Sequence, residues 1–372
     1  MALRIIVYIY PDQNSENKFC GRPGGVGLAI LSRQFRTRAS QLTLLVASLI
    51  IYPFAAVAEQ PAAPGFALRN QNPFLQIFGL PPFQSATLAP EGAVRYDVNL
   101  DLANHADAGD NAQERFVIDG ESYFLTLSLR RRVKHQLELG VDLPLVAHGE
   151  GFLDNGIEGW HDTFGMSNTK RRGPSNQLGF LYSGPGSNQY ELASPAFGIG
   201  DIQLTAAVPL KGGGDTDKIS VAVRSSIKLP TGAEEELRGS GAVDFSVGLY
   251  AADTHTLWKR ELGLSGFAGV LLLGDGDVLT SMQRSAVPFG GAAATWQVTQ
   301  NFGATAQLYT QGAYFDSELK ELGGDSVQLA VGGNYRLPRR GVSLSFAIVE
   351  DVTANATTDF ALHFSVRTVG GR

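Results

Sequence analysis

Between residues 92 and 102 apolar and polar side chains alternate without a break. Val94, Tyr96, Val98, Leu100 and Leu102 fall on one side, and Arg95, Asp97, Asn99 and Asp101 on the other. Successive side chains of a strand point to opposite faces, so the spacing predicts a strand with one apolar and one charged surface. The pattern returns at 123–130 and 136–145, and again at 201–210 and 219–228. Segments 242–252, 260–272, 289–299, 302–313, 325–336, 341–350 and 358–367 continue the series, with weaker runs at 177–182 and 189–196. Strands of about ten residues suit a tilted crossing of a hydrocarbon layer. The expectation is an all-β chain folded as a closed antiparallel transmembrane β-barrel, apolar face to lipid and polar face to the lumen.

A soluble β-sandwich also alternates, with its apolar face turned inward. Connection lengths argue against it: 299–301 and 338–340 are short, whereas 274–288, 315–325 and 351–358 are longer. Outer-membrane barrels keep short turns at the periplasmic side and long loops outside. With both ends of the barrel in the periplasm, parity gives about 14 strands if 189–196 is counted, and 12 if the two weak runs drop out.

The largest interruption is 147–176. Phe152, Ile157, Trp160 and Phe164 recur there at helical spacing, with Asp154, Glu158 and Asp162 on another face, which predicts a short helix in a long loop. A basic turn follows, Lys170-Arg171-Arg172-Gly173-Pro174. Loops this long in a compact fold are usually functional or disordered.

Upstream of the barrel the pattern changes. Arg33, Arg36 and Arg38 precede an apolar run from 42 to 57 that ends in Ala56-Val57-Ala58, the signature of a cleaved secretory signal, with the cut expected after Ala58. The run is broken by Pro53 and is short for a membrane anchor. Residues 1–58 are therefore read as an N-terminal extension and signal peptide, with a start site expected further downstream than Met1. Residues 59–91 form a Pro- and Gly-rich leader, lying in the periplasm or tucked into the lumen, because Pro lacks the donor a central strand needs. Residues 92–372 are the barrel.

Composition sharpens this picture. The chain has 44 Gly in 372 residues and 18% charged residues, and it lacks the long apolar runs of a helical membrane protein. Losing residues 1–58 removes six basic and two acidic residues, moving the net charge from -6 to -10. That balance gives no reason to expect nucleic-acid binding. The one cysteine, Cys20, falls in the discarded part, so no thiol chemistry is expected of the mature chain.

Several stretches resemble a known family. Asn72-Pro73-Phe74 through Gly79-Leu80-Pro81, Gly159-Trp160-His161-Asp162-Thr163-Phe164-Gly165, Asn168 to Arg171, and Gly198-Ile199-Gly200-Asp201-Ile202-Gln203-Leu204 look like the domain-of-unknown-function family numbered 3187, over roughly residues 68 to 367. Lys228-Leu229-Pro230-Thr231-Gly232 is similar to a strand-end motif shared more widely by outer-membrane transport-like barrels. The resemblance implies an exported Gram-negative outer-membrane barrel of unassigned activity. Such barrels usually end on an aromatic residue, whereas this chain ends Val369-Gly370-Gly371-Arg372, with Phe360 and Phe364 as stand-ins in the assembly signal.

Candidate chemistry is sparse. Asp154, Glu158, His161 and Asp162 offer oxygen ligands at helical spacing, but the simpler reading is a solvated helix face, and neither metal nor cofactor is expected. His363 and Ser365 share a strand face without a third catalytic partner, so an outer-membrane lipid-modifying enzyme ranks third among the functions. Arg95, Arg130, Arg224 and Lys228, with Asp97, Asp101, Glu138 and Asp244, either line a pore or pair and block it. Trp160, His161, Asp162, Lys170, Arg171 and Arg172 are the candidates on the long loop, the three cations for lipopolysaccharide phosphates. Expected partners are outer-membrane lipid, the outer-membrane assembly machinery and a small solute. The leading expectation is a passive pore for a small solute, narrowed by the 147–176 loop. The alternative is a structural or envelope-maintenance barrel with a blocked lumen.

Overall fold

The structure, a computed structural model, describes residues 65–134, 136–153, 177–186, 188–212, 219–353 and 355–370. In chain order its strands are β1 (Val94–Asp110), β2 (Arg115–Lys134), β3 (Leu137–Gly149), β4 (Gly179–Ser183), β5 (Gln189–Leu192), β6 (Ala196–Ile199), β7 (Gln203–Lys211) and β8 (Ile219–Lys228). They continue as β9 (Asp244–Leu257), β10 (Arg260–Leu272), β11 (Ala286–Gln297), β12 (Phe302–Gln311), β13 (Ser326–Leu337), β14 (Val342–Asp351) and β15 (Phe360–Gly370). Strands β1, β2, β3 and β7 to β15 pair in sequence, and β15 returns to β1 from Val94↔Gly370 to Asn104↔Phe360. The sheet thus closes on itself as an antiparallel ring of twelve.

Twelve is the lower of the two counts the sequence allows. Both weak runs do form strands, but β4 pairs with 115–119 of β2, and β5 pairs with β4. At 17 and 20 residues, β1 and β2 are longer than the roughly ten a membrane crossing needs. Their surplus stands above the ring as a ledge, and β4 and β5 complete it. Alternation cannot tell a ledge strand from a wall strand, which is why parity alone favoured fourteen.

Each ring strand turns an apolar side chain outward. Tyr96, Leu129, Leu143, Leu204, Ile227, Leu249, Leu264, Trp296, Leu308, Val331, Leu344 and Phe364, one from each, are all at least 36% exposed. A contiguous apolar band of this extent is stable against hydrocarbon and not against water. One end of the ring has short connections, at Trp258 and Lys259, 298–301 and Pro338–Arg340. The other end has the long ones, 229–243, 273–285, 312–325 and 352–359. The predicted helix of the long loop, and Trp160, His161, Asp162, Lys170, Arg171 and Arg172 with it, lie outside the described residues.

Candidate functional site: the filled lumen

The leader lies inside the barrel. From Phe66 the chain climbs towards the long-loop end, turns, and descends to the start of β1. On the way up, the Phe66 amide donates to Gln307 Oε1 of β12 (2.6 Å), and Asn70 Nδ2 donates to the Ala356 carbonyl between β14 and β15 (2.7 Å). At the turn, Gln76 Nε2 reaches the Leu237 carbonyl between β8 and β9 (2.5 Å). On the way down, the Gly79 amide meets Asp244 Oδ2 (2.8 Å), and the Ala89 amide meets Glu138 Oε2 (2.5 Å). The two legs touch through the Phe83 amide and the Leu68 carbonyl (2.8 Å).

Asn72-Pro73-Phe74 makes the turn. Asn72 Oδ1 accepts from the Phe74 amide (3.0 Å), and the Asn72 carbonyl accepts from the amides of Leu75 (2.9 Å) and Gln76 (2.8 Å). An Asn side chain caps a tight turn well, and a Pro next to it costs no hydrogen bond because its nitrogen has no proton to donate. The motif noted in the sequence is thus the apex of the leader.

The wall that receives the leader differs from side to side. On β9 to β12 an aromatic and aliphatic patch lies among the inward positions: Tyr250, Phe267, Leu271, Val287, Phe289 and Tyr309 are all buried, alongside polar residues such as Ser265, Thr295, Thr305 and Gln307. Phe83 meets Phe267 edge-on at 5.0 Å, and Phe78 stacks on Tyr314 at 5.2 Å. The expectation of a uniformly polar lumenal face fails at this patch, because these positions pack against a protein segment instead of water. Each of Phe74, Leu75, Ile77, Phe78, Leu80 and Phe83 is at most 3% exposed, a burial that contributes about 1.5–3 kcal/mol per side chain.

On β15, β1, β2, β3 and β8 the inward positions include charged side chains, and these pair. Arg224 Nη1 meets Glu138 Oε1 at 2.9 Å, with Arg95 Nη2 at 4.0 Å from the same oxygen. Asp97 lies between Arg95 (3.2 Å) and Arg367. Arg130 meets Asp142 at 2.8 Å, and His363 Nδ1 meets Asp101 at 2.6 Å. Lys228 Nζ sits between Asp201 (2.7 Å) and Asp244 (3.2 Å), and donates to Ser240 as well.

Of the residues singled out in the sequence, Arg95, Asp97, Asp101, Arg130, Glu138, Arg224 and Lys228 all face inward, and all are paired. Arg224 also donates to the leader carbonyls of Ser85 (2.9 Å) and Thr87 (3.2 Å), and Lys228 to that of Ile77 (3.2 Å). Asp201 was not singled out as a site residue, yet it ties together two of the motifs. Besides Lys228, it accepts from the amides of Thr231 (2.9 Å), Gly232 (2.8 Å) and Ser240 (3.1 Å). Gln76, Gln307 and Tyr309, which donates to the Pro81 carbonyl (2.7 Å), were missed too. A polar residue set among the apolar Phe74, Leu75, Ile77 and Phe78 was the available signal for Gln76.

Above the leader, the loop between β1 and β2 is fastened across the mouth by Glu114. Its carboxylate accepts from Tyr182 (2.7 Å), Ser317 (2.8 Å) and the Glu318 amide (3.0 Å). Burial alone would raise its pKa, but these hydrogen bonds together hold it below the ordinary glutamate value. Burial and the Glu114 carboxylate push the Tyr182 hydroxyl the other way, upward.

Little room is left beside the leader. A cavity bounded by Pro81, Gln84, Arg224, Ser246 and Tyr250 holds about 10 Å³, no more than one water requires. Among the described residues no group of three or more His, Cys, Asp or Glu side chains is placed to hold a metal ion.

The profile of a family described as "Protein of unknown function (DUF3187)" matches residues 42–368. The chain belongs to the DUF3187 family. That span takes in the leader, the ledge and every strand of the ring but the last two residues of β15. Comparison with curated proteins gives no match for this DUF3187 chain. Among solved structures it is similar to the COG4313 outer membrane channel from Pseudomonas putida F1, at 14% identity and a TM-score of 0.49, over 76% of this chain and 97% of the other. It is also similar to the NanC porin (8%, 0.42, 74% and 99%) and to the Pseudomonas putida toluene transporter TodX (12%, 0.33, 83% and 95%).

Proposed function

We propose that this DUF3187 protein is an outer-membrane channel for a small solute, held closed by its own N-terminal segment. The outward apolar belt supports a membrane barrel, and the signal-like 33–58 stretch supports export. The observation that carries closure is the leader, which occupies the lumen and seals inward polar groups such as Lys228, Glu138 and Gln307 to 2% exposure or less. A water-filled pore would leave such groups wet. Closure thus belongs to 65–93, whereas most of the 147–176 loop, first expected to narrow the lumen, lies outside the described residues.

The second reading is a structural barrel that never opens. It is favoured by the apolar side of the lumen, which packs like a protein interior. Planar-bilayer recordings separate the two. The full-length protein should be nearly silent, and the double substitution Phe78→Ala with Phe83→Ala, or deletion of 66–90, should give stable conductance steps. Silence in all three, with each preparation still migrating as a heat-modifiable folded barrel, would favour the structural reading.

A further inference from the structure

Strands β9 and β10 are joined by a two-residue turn, Trp258 and Lys259, both in the left-handed region with φ of 49° and 62°. Two-residue hairpin turns of this hand favour Asn-Gly, since side chains with a full Cβ are strained there. The strained position nonetheless carries a tryptophan at 78% exposure, beside an exposed lysine. Backbone strain kept at a surface position points to something the side chains do there.

The neighbours extend the same chemistry around the short-turn end. Trp258 meets Trp296 of β11 edge to face at 5.9 Å. Arg260 is exposed, on the face that also carries Leu262 and Leu264, while Glu261 points to the opposite face. Phe302 and Tyr335 lie opposite each other on β12 and β13 and are 38% and 45% exposed. Arg339 and Arg340 follow in the next short turn, also exposed. Exposed carboxylates gather instead at the long-loop end, among them Glu191, Asp275, Asp277, Asp316 and Glu318. Arg115, Arg284 and Lys320 are exposed at that end too, and Glu91 and Glu261 at the short-turn end, so the exposed charge is biased along the barrel axis, with cations in excess at the short-turn end.

Aromatic rings and cations at one level mark the plane where strands leave hydrocarbon and meet headgroups, and cations there draw anionic lipid. We propose that the arc from Trp258, Lys259 and Arg260 to Arg339 and Arg340 docks the headgroups of anionic phospholipids in the leaflet at the short-turn end. The proposal rests on the membrane-barrel reading. The rings set the depth, and the ammonium and guanidinium groups pair with headgroup phosphates through charge-assisted hydrogen bonds.

The test uses the full-length protein reconstituted in bilayers of phosphatidylethanolamine with phosphatidylglycerol, and native mass spectrometry to compare the lipids retained on release. Phosphatidylglycerol should be enriched about tenfold on the unmodified protein. Replacing Trp258 by Asn and Lys259 by Gly supplies the turn the backbone prefers, so folding is kept while the contact is removed, and enrichment should fall severalfold. Charge reversal by Arg260→Glu, Arg339→Glu and Arg340→Glu should abolish it, and reversal at the far end by Asp275→Lys with Asp316→Lys should leave it unchanged. Equal retention of both lipids on the unmodified protein overturns the proposal, as does enrichment that survives in the folded turn and charge-reversal variants of the short-turn end. Failure to insert into any bilayer would overturn the membrane reading and this proposal together, whereas insertion without preference overturns this proposal alone.

Discussion

The two halves of the lumen hold the same segment in different ways. Strands β9 to β12 take the leader's apolar side chains, with Phe267, Phe289 and Tyr309 around Phe83 and its neighbours. Strands β3 and β8, with the top of β9, take its main chain at Ile77, Gly79, Ser85, Thr87 and Ala89, while Gln307 of β12 holds that of Phe66. Arg224 and Lys228 donate to carbonyls, and Glu138 and Asp244 accept from amides. A Pro-rich segment without regular structure cannot satisfy its own backbone, and buried backbone groups left unpaired are expensive. The charged half of the wall does what secondary structure does elsewhere. Its ion pairs also leave a charged lumen behind whenever the leader moves, whereas the apolar half would then face water.

The sharpest way to break this comparison is to empty the apolar side. Replacing Phe78 and Phe83 together by Ala should weaken leader docking by about 6–10 kcal/mol, since each buried Phe is worth about 3–5 kcal/mol and the two touch different wall residues, Tyr314 and Phe267. The ring's own pairing is untouched, so limited proteolysis should cut within 66–90 while the barrel keeps its folded electrophoretic mobility. Loss of that mobility would mean that leader and wall form one cooperative unit.

On the charged side, Glu138→Gln removes the carboxylate that Arg224 and Arg95 share. Breaking a buried pair on one side costs about 3–5 kcal/mol. A second substitution, Arg224→Met, should recover part of that loss, because it takes away a cation left without its partner. If denaturant midpoints show the double variant no better than Glu138→Gln alone, the ion pair is not what holds the lower leg.

Much of this was legible from alternation. Val94 to Leu102 shows its outward set and its charged inward set as read, and Arg95, Asp97, Arg130, Glu138, Arg224 and Lys228 face inward. Period two reports which face a side chain is on, not what lies across from it. Nothing local to Tyr250 or Phe267 says that the lumen holds another segment. Phe74, Leu75, Ile77 and Phe78 follow neither period, so the leader's apolar content had no face to be assigned to. The ledge was hidden for a related reason: Phe116 and Ile118 are buried like core residues at the end of a strand whose other half is membrane wall.

A smaller effect tests the boundary between the halves. Tyr309 belongs to the aromatic side yet donates its hydroxyl to the Pro81 carbonyl at 2.7 Å. Tyr309→Phe keeps the ring and strips a buried carbonyl of its donor, so a loss of about 1–3 kcal/mol is expected. Unchanged thermal unfolding would show that water reaches Pro81, contrary to a sealed lumen.

The smallest expected effect lies outside the ring, where Glu114 joins the β1–β2 loop to β4 and to the loop after β12. Its pKa in the folded protein is below its ordinary value, so folding favours the ionised form. The stabilisation is complete above the unfolded pKa of about 4.3 and is lost as pH falls through the folded value. Hydrogen exchange at the Glu318 amide should therefore speed up under acid before the ring amides respond, and Glu114→Gln should remove that difference at every pH. The leader's anchors are sealed beneath this fastening, so acid should loosen the mouth of the barrel without releasing its contents. Exchange at the Gly79 and Ala89 amides that rose together with Glu318 would instead join the fastening to the closure of the lumen.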